Sequence, residues 1–330
     1  MATPALRGLD ARFSGAEIDV LTGAWSAPAL RGNPHVSQVL PYPAKVTPRS
    51  VLALARDLRG RHYDLGVGLD RSPLVNALLW LSGIPFRVGI DNQGRGVGLT
   101  RRVVPQPGRH ETELFLDVVL LSGAPSTGPV PEYAVDAALG VSVEPLLPDG
   151  DGPLVVIHPG GAVNPGATMP SKRWPAESFA TLASRMVREL GARLVLVGAA
   201  SDRDAVARVE SAMTETVTTL SDRLDLPHLA VAIARADVYV GNDSGVSHLA
   251  AAVGTPTVTI FGPTSPRRYR PLGPSARVCA PPATWALAED VDLRRGPGLD
   301  PDVEITRVTP DEVFEAVRES LAAATVGERG

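Results

Sequence analysis

The chain of 330 residues is predicted to be an α/β protein made of two doubly wound domains facing a cleft. Three observations predict it. Short apolar runs alternate with helical periodicity along most of the chain, the pattern of repeated βα units. The run at 154–158 (LVVIH) is continuously apolar up to its histidine, as a parallel strand covered on both faces requires. And 330 residues at 44% hydrophobic exceed what one core comfortably organises, so two domains are expected.

In the first block, apolar runs at 17–21, 36–40, 64–69 and 87–90 read as strands, and 48–59, 72–82 and 110–122 read as helices. The stretch 123–152 is rich in proline and glycine with weak periodicity, which makes it the linker. The second block opens with strand 154–158. It continues as helix 175–190, strand 193–197, helix 202–212, strand 217–219, helix 226–235, strand 237–240, helix 246–253 and strand 257–261. Residues 281–302 read as irregular. A last helix runs over 310–323, with Thr309 as N-cap and Pro310 in its first turn. The expected division is a domain over 1–123, a linker over 124–152, a second domain over 153–309, and a terminal helix and tail over 310–330. No internal repeat or low-complexity tract is visible.

The first block opens unusually. Residues 3–9 (TPALRGL) already read as the middle of a helix, and 17–21 is then a second strand. A first strand, usually central in this topology, is not visible before them. Lacking it would cost much against a total stability of about 5–15 kcal/mol. Met1 therefore reads as an internal methionine or the start of a truncated chain.

Bulk properties exclude several classes. A net charge of −4 gives no basic field for nucleic acid. The clusters Arg101-Arg102 and Arg267-Arg268-Tyr269-Arg270 read as solvated rim. Cys279 is the single cysteine, which removes disulfides and cysteine-rich metal sites and favours a reducing cytoplasm. No signal peptide is visible. The longest apolar run, 74–86, falls short of the ~20 residues a span needs. Peripheral contact with a membrane stays open, and a monomer is expected.

The most informative stretch is 236–263, ADVYVGNDSGVSHLAAAVGTPTVTIFGP. A strand enters the turn Gly241-Asn242-Asp243-Ser244-Gly245, a small-residue helix follows, and a second strand closes the unit. The turn aims backbone N–H groups and a helix dipole out of the carboxyl edge of a sheet, where phosphate binds well. Small residues such as Gly245, Ser247 and Ala250 let a ligand or a neighbouring backbone come close. An ordinary crossover would use the same residues, and the turn is neither GxGxxG nor a P-loop.

That stretch extended to 266, together with HPGG at 158–161 and SKRWP at 171–175, resembles the heptosyltransferase-like glycosyltransferases, glycosyltransferase family 9. The likeness continues through ATPALRGLDARFSGAEIDVLTG and LDRSPLVNALLWLSGIPFRVGID, leaving aside residues 124–152 and 281–302. It implies the GT-B architecture of two Rossmann-like domains and an inverting transfer without metal or other cofactor. The donor would be a nucleotide-diphosphate sugar such as ADP-heptose, and the acceptor a cell-envelope saccharide or glycolipid hydroxyl. That family opens with a strand ending in Gly-Asp, whose aspartate is the proposed general base, and this sequence lacks it. No base is therefore assigned, with Asp70 the nearest substitute.

The resemblance further implies that Asp243, Ser244 and Gly245 meet the donor: backbone amides and the Ser244 hydroxyl on phosphate, Asp243 on sugar hydroxyls. Asp243 would otherwise cap the following helix. Lys172, in a K-x-W-P pattern, would neutralise charge on the departing diphosphate, with Thr168 adding a hydroxyl; a surface lysine is the alternative. Asp202 would accept from the ribose, in competition with Asp204, unless both merely favour a helix start. Leu224 would flank the adenine or simply pack. His248 would bond the donor or brace the turn, and His158 is expected to support the sheet edge. Asp70, Arg71 and Ser72 would shape the acceptor side. Asp290-Val291-Asp292 imitates a metal-binding DxD but reads as solvated loop, and no metal is expected. Two other classes stay open: a binding protein without transfer, and an epimerase or hydrolase of the same fold.

Overall fold

The computed structural model describes residues 1–164, 167–286 and 304–327. These form two compact units, Met1–Pro129 and the chain from Val130 onward. Asp290-Val291-Asp292 and most of the expected irregular stretch lie outside the described residues.

The first unit runs α1 (Thr3–Arg12), β1 (Asp19–Thr22), β2 (Gln38–Pro41), α2 (Pro48–Gly60), β3 (Leu65–Gly68), α3 (Pro73–Leu81), β4 (Phe86–Ile90), β5 (Arg101–Val103) and α4 (Glu111–Leu120). The helix starts are written locally. Thr47 and Ser50 form a reciprocal capping box ahead of α2, and the Ser72 side chain accepts from the Leu74 amide ahead of α3. All pairings are parallel, but they make two separate sheets, β1-β2 and β3-β4-β5. No ladder joins β1 to β3. Instead the Tyr63 hydroxyl, just before β3, donates to the Asp19 carboxylate in β1. Helix α1 packs on α4 through Ala5, Leu9, Leu116 and Val119, with Ile18, Leu65 and Val67 against them. Strand β5 was not anticipated, because Arg101 and Arg102 read as solvated rim. Both are exposed, and charged residues are what an edge strand tolerates.

Residues 124–152 divide between the units. Ala124 is buried with α1 and α4, and the Thr127 hydroxyl donates to the Pro4 carbonyl at 3.2 Å. The Tyr133 amide, by contrast, donates to the Ala252 carbonyl at 3.1 Å. Val143, in α5 (Gly140–Val143), packs with Val231 and Ala232.

The second unit continues with β6 (Leu154–His158), β7 (Val163–Asn164), β8 (Ala167–Thr168), α6 (Ala176–Leu190), β9 (Arg193–Leu196), α7 (Arg203–Ala212), β10 (Thr218–Thr219), α8 (Leu226–Ala234), β11 (Val238–Asn242), α9 (Gly245–Ala252), β12 (Thr257–Ile260), α10 (Pro266–Tyr269), β13 (Ala276–Cys279), α11 (Pro282–Ala286) and α12 (Pro310–Gly327). Six strands form one parallel sheet in the order β10-β9-β6-β11-β12-β13. Side-chain alternation sorts its two faces. Val155, Ile157, Leu194, Leu196, Val238 and Val240 point to one core with Phe179 and Leu182 of α6 and Phe314 and Val317 of α12. Leu154, Val156, Val195, Val197 and Tyr239 point to the other, with Ala230 and Ile233 of α8 and Ala250 of α9. Both faces of β6 and β11 are buried, which is why their sequences read as nearly unbroken apolar runs. No helix among the described residues is long and apolar enough to cross a membrane.

Candidate functional site

From β6 the chain crosses to β9 on one side, and it later returns to β11 on the other. Where crossovers diverge, the carboxyl ends of adjacent strands open into a crevice that suits ligands. Three segments converge there: HPGG after β6, residues 198–202 after β9, and Gly241–Gly245 after β11.

Asn242 holds them in register. Fully buried at the end of β11, its Nδ2 donates to the Pro159 and Gly160 carbonyls, both at 3.0 Å. Its Oδ1 accepts from the Trp174 amide at 3.0 Å. Trp174 in turn donates its indole N–H to the Val308 carbonyl at 2.8 Å and meets Phe179 edge to face. One amide side chain thus fixes both the HPGG loop and the KRWP segment bearing Lys172.

Lys172 reaches inward. Its Nζ lies 2.5 Å from Asp243 Oδ2, and the Thr264 hydroxyl donates to the same oxygen at 2.6 Å. Asp243 is 5% exposed. Its Oδ2 therefore engages the lysine and the threonine, and no side-chain hydrogen bond caps α9. A lysine gripped this way keeps its charge in place instead of sweeping through solvent.

Ser244 is the N-cap residue of α9, with extended φ and ψ of −148° and 166°, yet its side chain makes no capping hydrogen bond. The first N–H groups of a helix have no intrahelical partner, and here no side chain satisfies them. Gly245 is exposed and Ser244 half-buried, so this positive helix end faces solvent beside Lys172.

Asp202 is placed differently from expectation. It is 4% exposed and already holds the Gly161 amide at 2.9 Å and the Ala199 amide at 3.0 Å. His158 Nε2 stands 3.3 Å away, and Arg173 Nη2 is 3.7 Å away. Burial pushes the carboxyl up, but the hydrogen bond and charge of His158 and the two backbone amides outweigh it and bring it down to about 2. The structure thus makes Asp202 the organiser of the HPGG loop, whereas its rival Asp204 is exposed on the first turn of α7. Both glycines of that loop are required. A Cβ on Gly160 would sit 2.3 Å from the Asp202 carboxyl carbon, and one on Gly161 would sit 2.8 Å from Ser244 Cβ, at a φ of +92°.

The other expected residues spread out. Thr168 is exposed on the short β7–β8 hairpin. Leu224 packs against the hydrophobic cores beside α8, the ordinary packing role. His248 is half-buried on α9.

In the first unit, the Asp70 carboxylate accepts from the Ser72 amide at 2.6 Å. Arg71 makes a two-pronged bond to Glu111, at 2.9 and 2.8 Å, leaving its buried Nη1 without a hydrogen-bond partner. Sequence reasoning did not single out Asn242 or Thr264, because each acts only through distant segments. The single usable signal was the joint presence of HPGG, KRWP and GND.

An unsatisfied helix start, a fixed ammonium and a crevice at a sheet's switch point suit a diphosphate joined to an organic group. The model of the family "Glycosyltransferase family 9 (heptosyltransferase)" matches residues 51–295, and the chain belongs to that family. It is 31% identical over 337 residues to lipopolysaccharide heptosyltransferase 2 of Salmonella typhimurium, covering 98% of this chain and 94% of that protein. The Escherichia coli protein of the same name is 28% identical over 295 residues, covering 84% and 83%. Among solved structures, an E. coli ADP-heptose LPS heptosyltransferase II superposes with a TM-score of 0.78 at 25% identity, covering 98% and 95%. A family 9 glycosyltransferase from Veillonella parvula reaches 0.81 at 21% identity, covering 98% and 93%. The GT-B fold class is thereby established.

Proposed function

We propose that this chain transfers a heptose-like sugar, with inversion, from an ADP-linked donor to a hydroxyl of a cell-envelope saccharide or glycolipid. The names of its relatives, lipopolysaccharide heptosyltransferases, support that choice of sugar and acceptor. One observation carries the assignment of the site: Lys172 is held at 2.5 Å from Asp243 directly before an α9 start that no side chain caps.

The donor diphosphate lies against the amides of Gly245 and the following residue and the Ser244 hydroxyl. Lys172 faces the phosphate that becomes the leaving group. As the anomeric bond breaks, negative charge grows on that phosphate, and a fixed cation stabilises it more than the ground state. Asp243 steadies the lysine and offers its remaining lone pairs to the sugar hydroxyls. Asp202 serves the donor through the loop it organises. Thr168 adds a hydroxyl toward the phosphates and His248 braces the turn, while Leu224 packs in the cores beside α8. The first unit presents the acceptor through Asp70, Arg71 and Ser72, an arginine there suiting an anionic group. The enzyme works as a monomer in the cytoplasm, touching the membrane from that side where its acceptor is a glycolipid.

Calorimetric titration with ADP tests the reading. Wild-type protein binds, while Lys172→Ala and Ser244→Ala each weaken binding about tenfold or more, the scale of one charge-assisted contact. Equal affinity in all three proteins would refute the site. Consumption of ADP-heptose without acceptor would favour the hydrolase or epimerase alternative.

A further inference from the structure

His158 ends β6 and is 2% exposed, at the junction of two elements that the sequence keeps far apart. Its Nε2 faces Asp202 Oδ2 at 3.3 Å, and its Nδ1 faces Ser244 Oγ at 3.5 Å. The imidazole links the loop after β9 to the serine at the mouth of α9.

The chemistry of this chain of three constrains its protons. An ionised carboxylate only accepts hydrogen bonds, so the nitrogen facing Asp202 carries a proton. In a neutral imidazole the other nitrogen, Nδ1, is then an acceptor. A Ser244 hydroxyl that donates to it shows only lone pairs to the crevice. A phosphate oxygen there meets lone pairs with lone pairs. In the imidazolium both nitrogens donate. Nδ1–H then points at Ser244 Oγ, which frees the serine hydrogen to turn outward and donate to phosphate.

We propose that His158 is a positioning residue whose protonation orients the Ser244 hydroxyl, so that a diphosphate bound at α9 selects the imidazolium and takes up a proton. The inference rests on the diphosphate reading of the site. Asp202 compensates the charge, and its backbone donors Gly161 and Ala199 hold it where His158 needs it. The other titratable groups facing the cluster are few. Arg173 lies 3.7 Å from Asp202. Tyr239 of β11 hydrogen-bonds Ser247 at 3.3 Å and interacts with Ser244, its phenol pushed up by burial and so kept protonated. Lys172 and Asp243 form an ion pair at 2.5 Å beside Ser244. Among these groups the histidine is the one whose ordinary range spans neutral pH.

The test uses ADP as probe and the full chain. Titrations run at pH 6 to 8 in buffers of differing ionisation enthalpy should show wild-type protein taking up protons beyond those accounted for by ADP itself. Its affinity should fall more steeply with rising pH than that of His158→Asn, the difference approaching tenfold per pH unit for one fully coupled proton. In parallel, imidazole nitrogen NMR of wild-type protein should show His158 with one protonated nitrogen when free and two when saturated with ADP. Ser244→Ala, which keeps the ring and removes its partner, should abolish that change even if His158→Asn does not fold. ADP that binds with His158 in the same form as in the free protein, or equal pH slopes in wild type and His158→Asn, would overturn the proposal and leave the site intact. ADP that fails to bind wild-type protein across this pH range would overturn both.

Discussion

Replacing Lys172 with methionine isolates the ion pair at the centre of the site. The substitution keeps the length and much of the volume of the side chain but removes the ammonium 2.5 Å from Asp243. Deleting one partner of a buried pair costs about 3–5 kcal/mol because the other charge is left uncompensated. Two features reduce that here. The Lys172 side chain is 13% exposed, so its own desolvation was incomplete, and Thr264 still donates to the carboxylate at 2.6 Å. A destabilisation of about 2–3 kcal/mol is therefore expected for Lys172→Met. Asp243→Asn should cost less, about 1 kcal/mol, since the lysine can swing to water. In the double variant no charge is stranded, so it should be no less stable than Lys172→Met alone, giving a coupling of about 1–2 kcal/mol. Urea unfolding followed by the fluorescence of Trp174, which is 2% exposed in the same unit, measures all four proteins. A coupling below about 0.5 kcal/mol would mean that the two residues do not sense each other, and the account of a gripped lysine would fall.

Asn242→Ala strands the Trp174 amide and the Pro159 and Gly160 carbonyls. At about 1 kcal/mol for each lost bond, it should lower stability by about 3 kcal/mol and weaken ADP binding through the displaced Lys172; full affinity by calorimetry would show that the KRWP segment holds its place unaided. The Asp202 carboxyl is drawn from 3.8 to about 2 in the folded protein. A depressed carboxyl stabilises the fold above its unfolded value and loses that contribution as pH falls through the folded one. About 2 kcal/mol should therefore disappear between roughly pH 4 and pH 2. Asp202→Asn should flatten that part of the stability curve, and parallel acid titrations of the two proteins would contradict the assignment.

The longer helices and the buried strands of the second unit were legible because each obeys a local rule, whereas α5 and α10 were not anticipated and α11 begins inside the stretch expected to be irregular. LVVIH is apolar on both faces as a central parallel strand must be, and Pro310 after Thr309 marks a helix start. Strand β13 went unnoticed because Ala276, Arg277, Val278 and Cys279 at a sheet edge carry no strong pattern. The two-residue strands β7 and β8 are too short to have any. In the first unit the sequence placed α1 and β1 within about two residues, but the separation of β1-β2 from β3-β4-β5 is a fact of pairing that appears only in three dimensions.

Through its resemblance to family 9, the sequence singled out a lysine ahead of a helix, and a serine and glycine at the start of another, as residues expected to meet a diphosphate. Their types, and the strand end that carries the serine and glycine, follow from local rules. Only the tertiary structure decided what each of them touches. Lys172 and Asp243 are 71 positions apart and Asp202 and His158 are 44 apart. Whether such groups meet depends on strand order and on the Asn242 staple, and neither leaves a trace in the spacing. That is why Asp243 proved to be a partner of Lys172 rather than a helix cap, and Asp202 a partner of His158 and the loop amides. A buried carboxylate takes the donors that the folded chain brings within about 3 Å of it, whatever lies beside it in sequence.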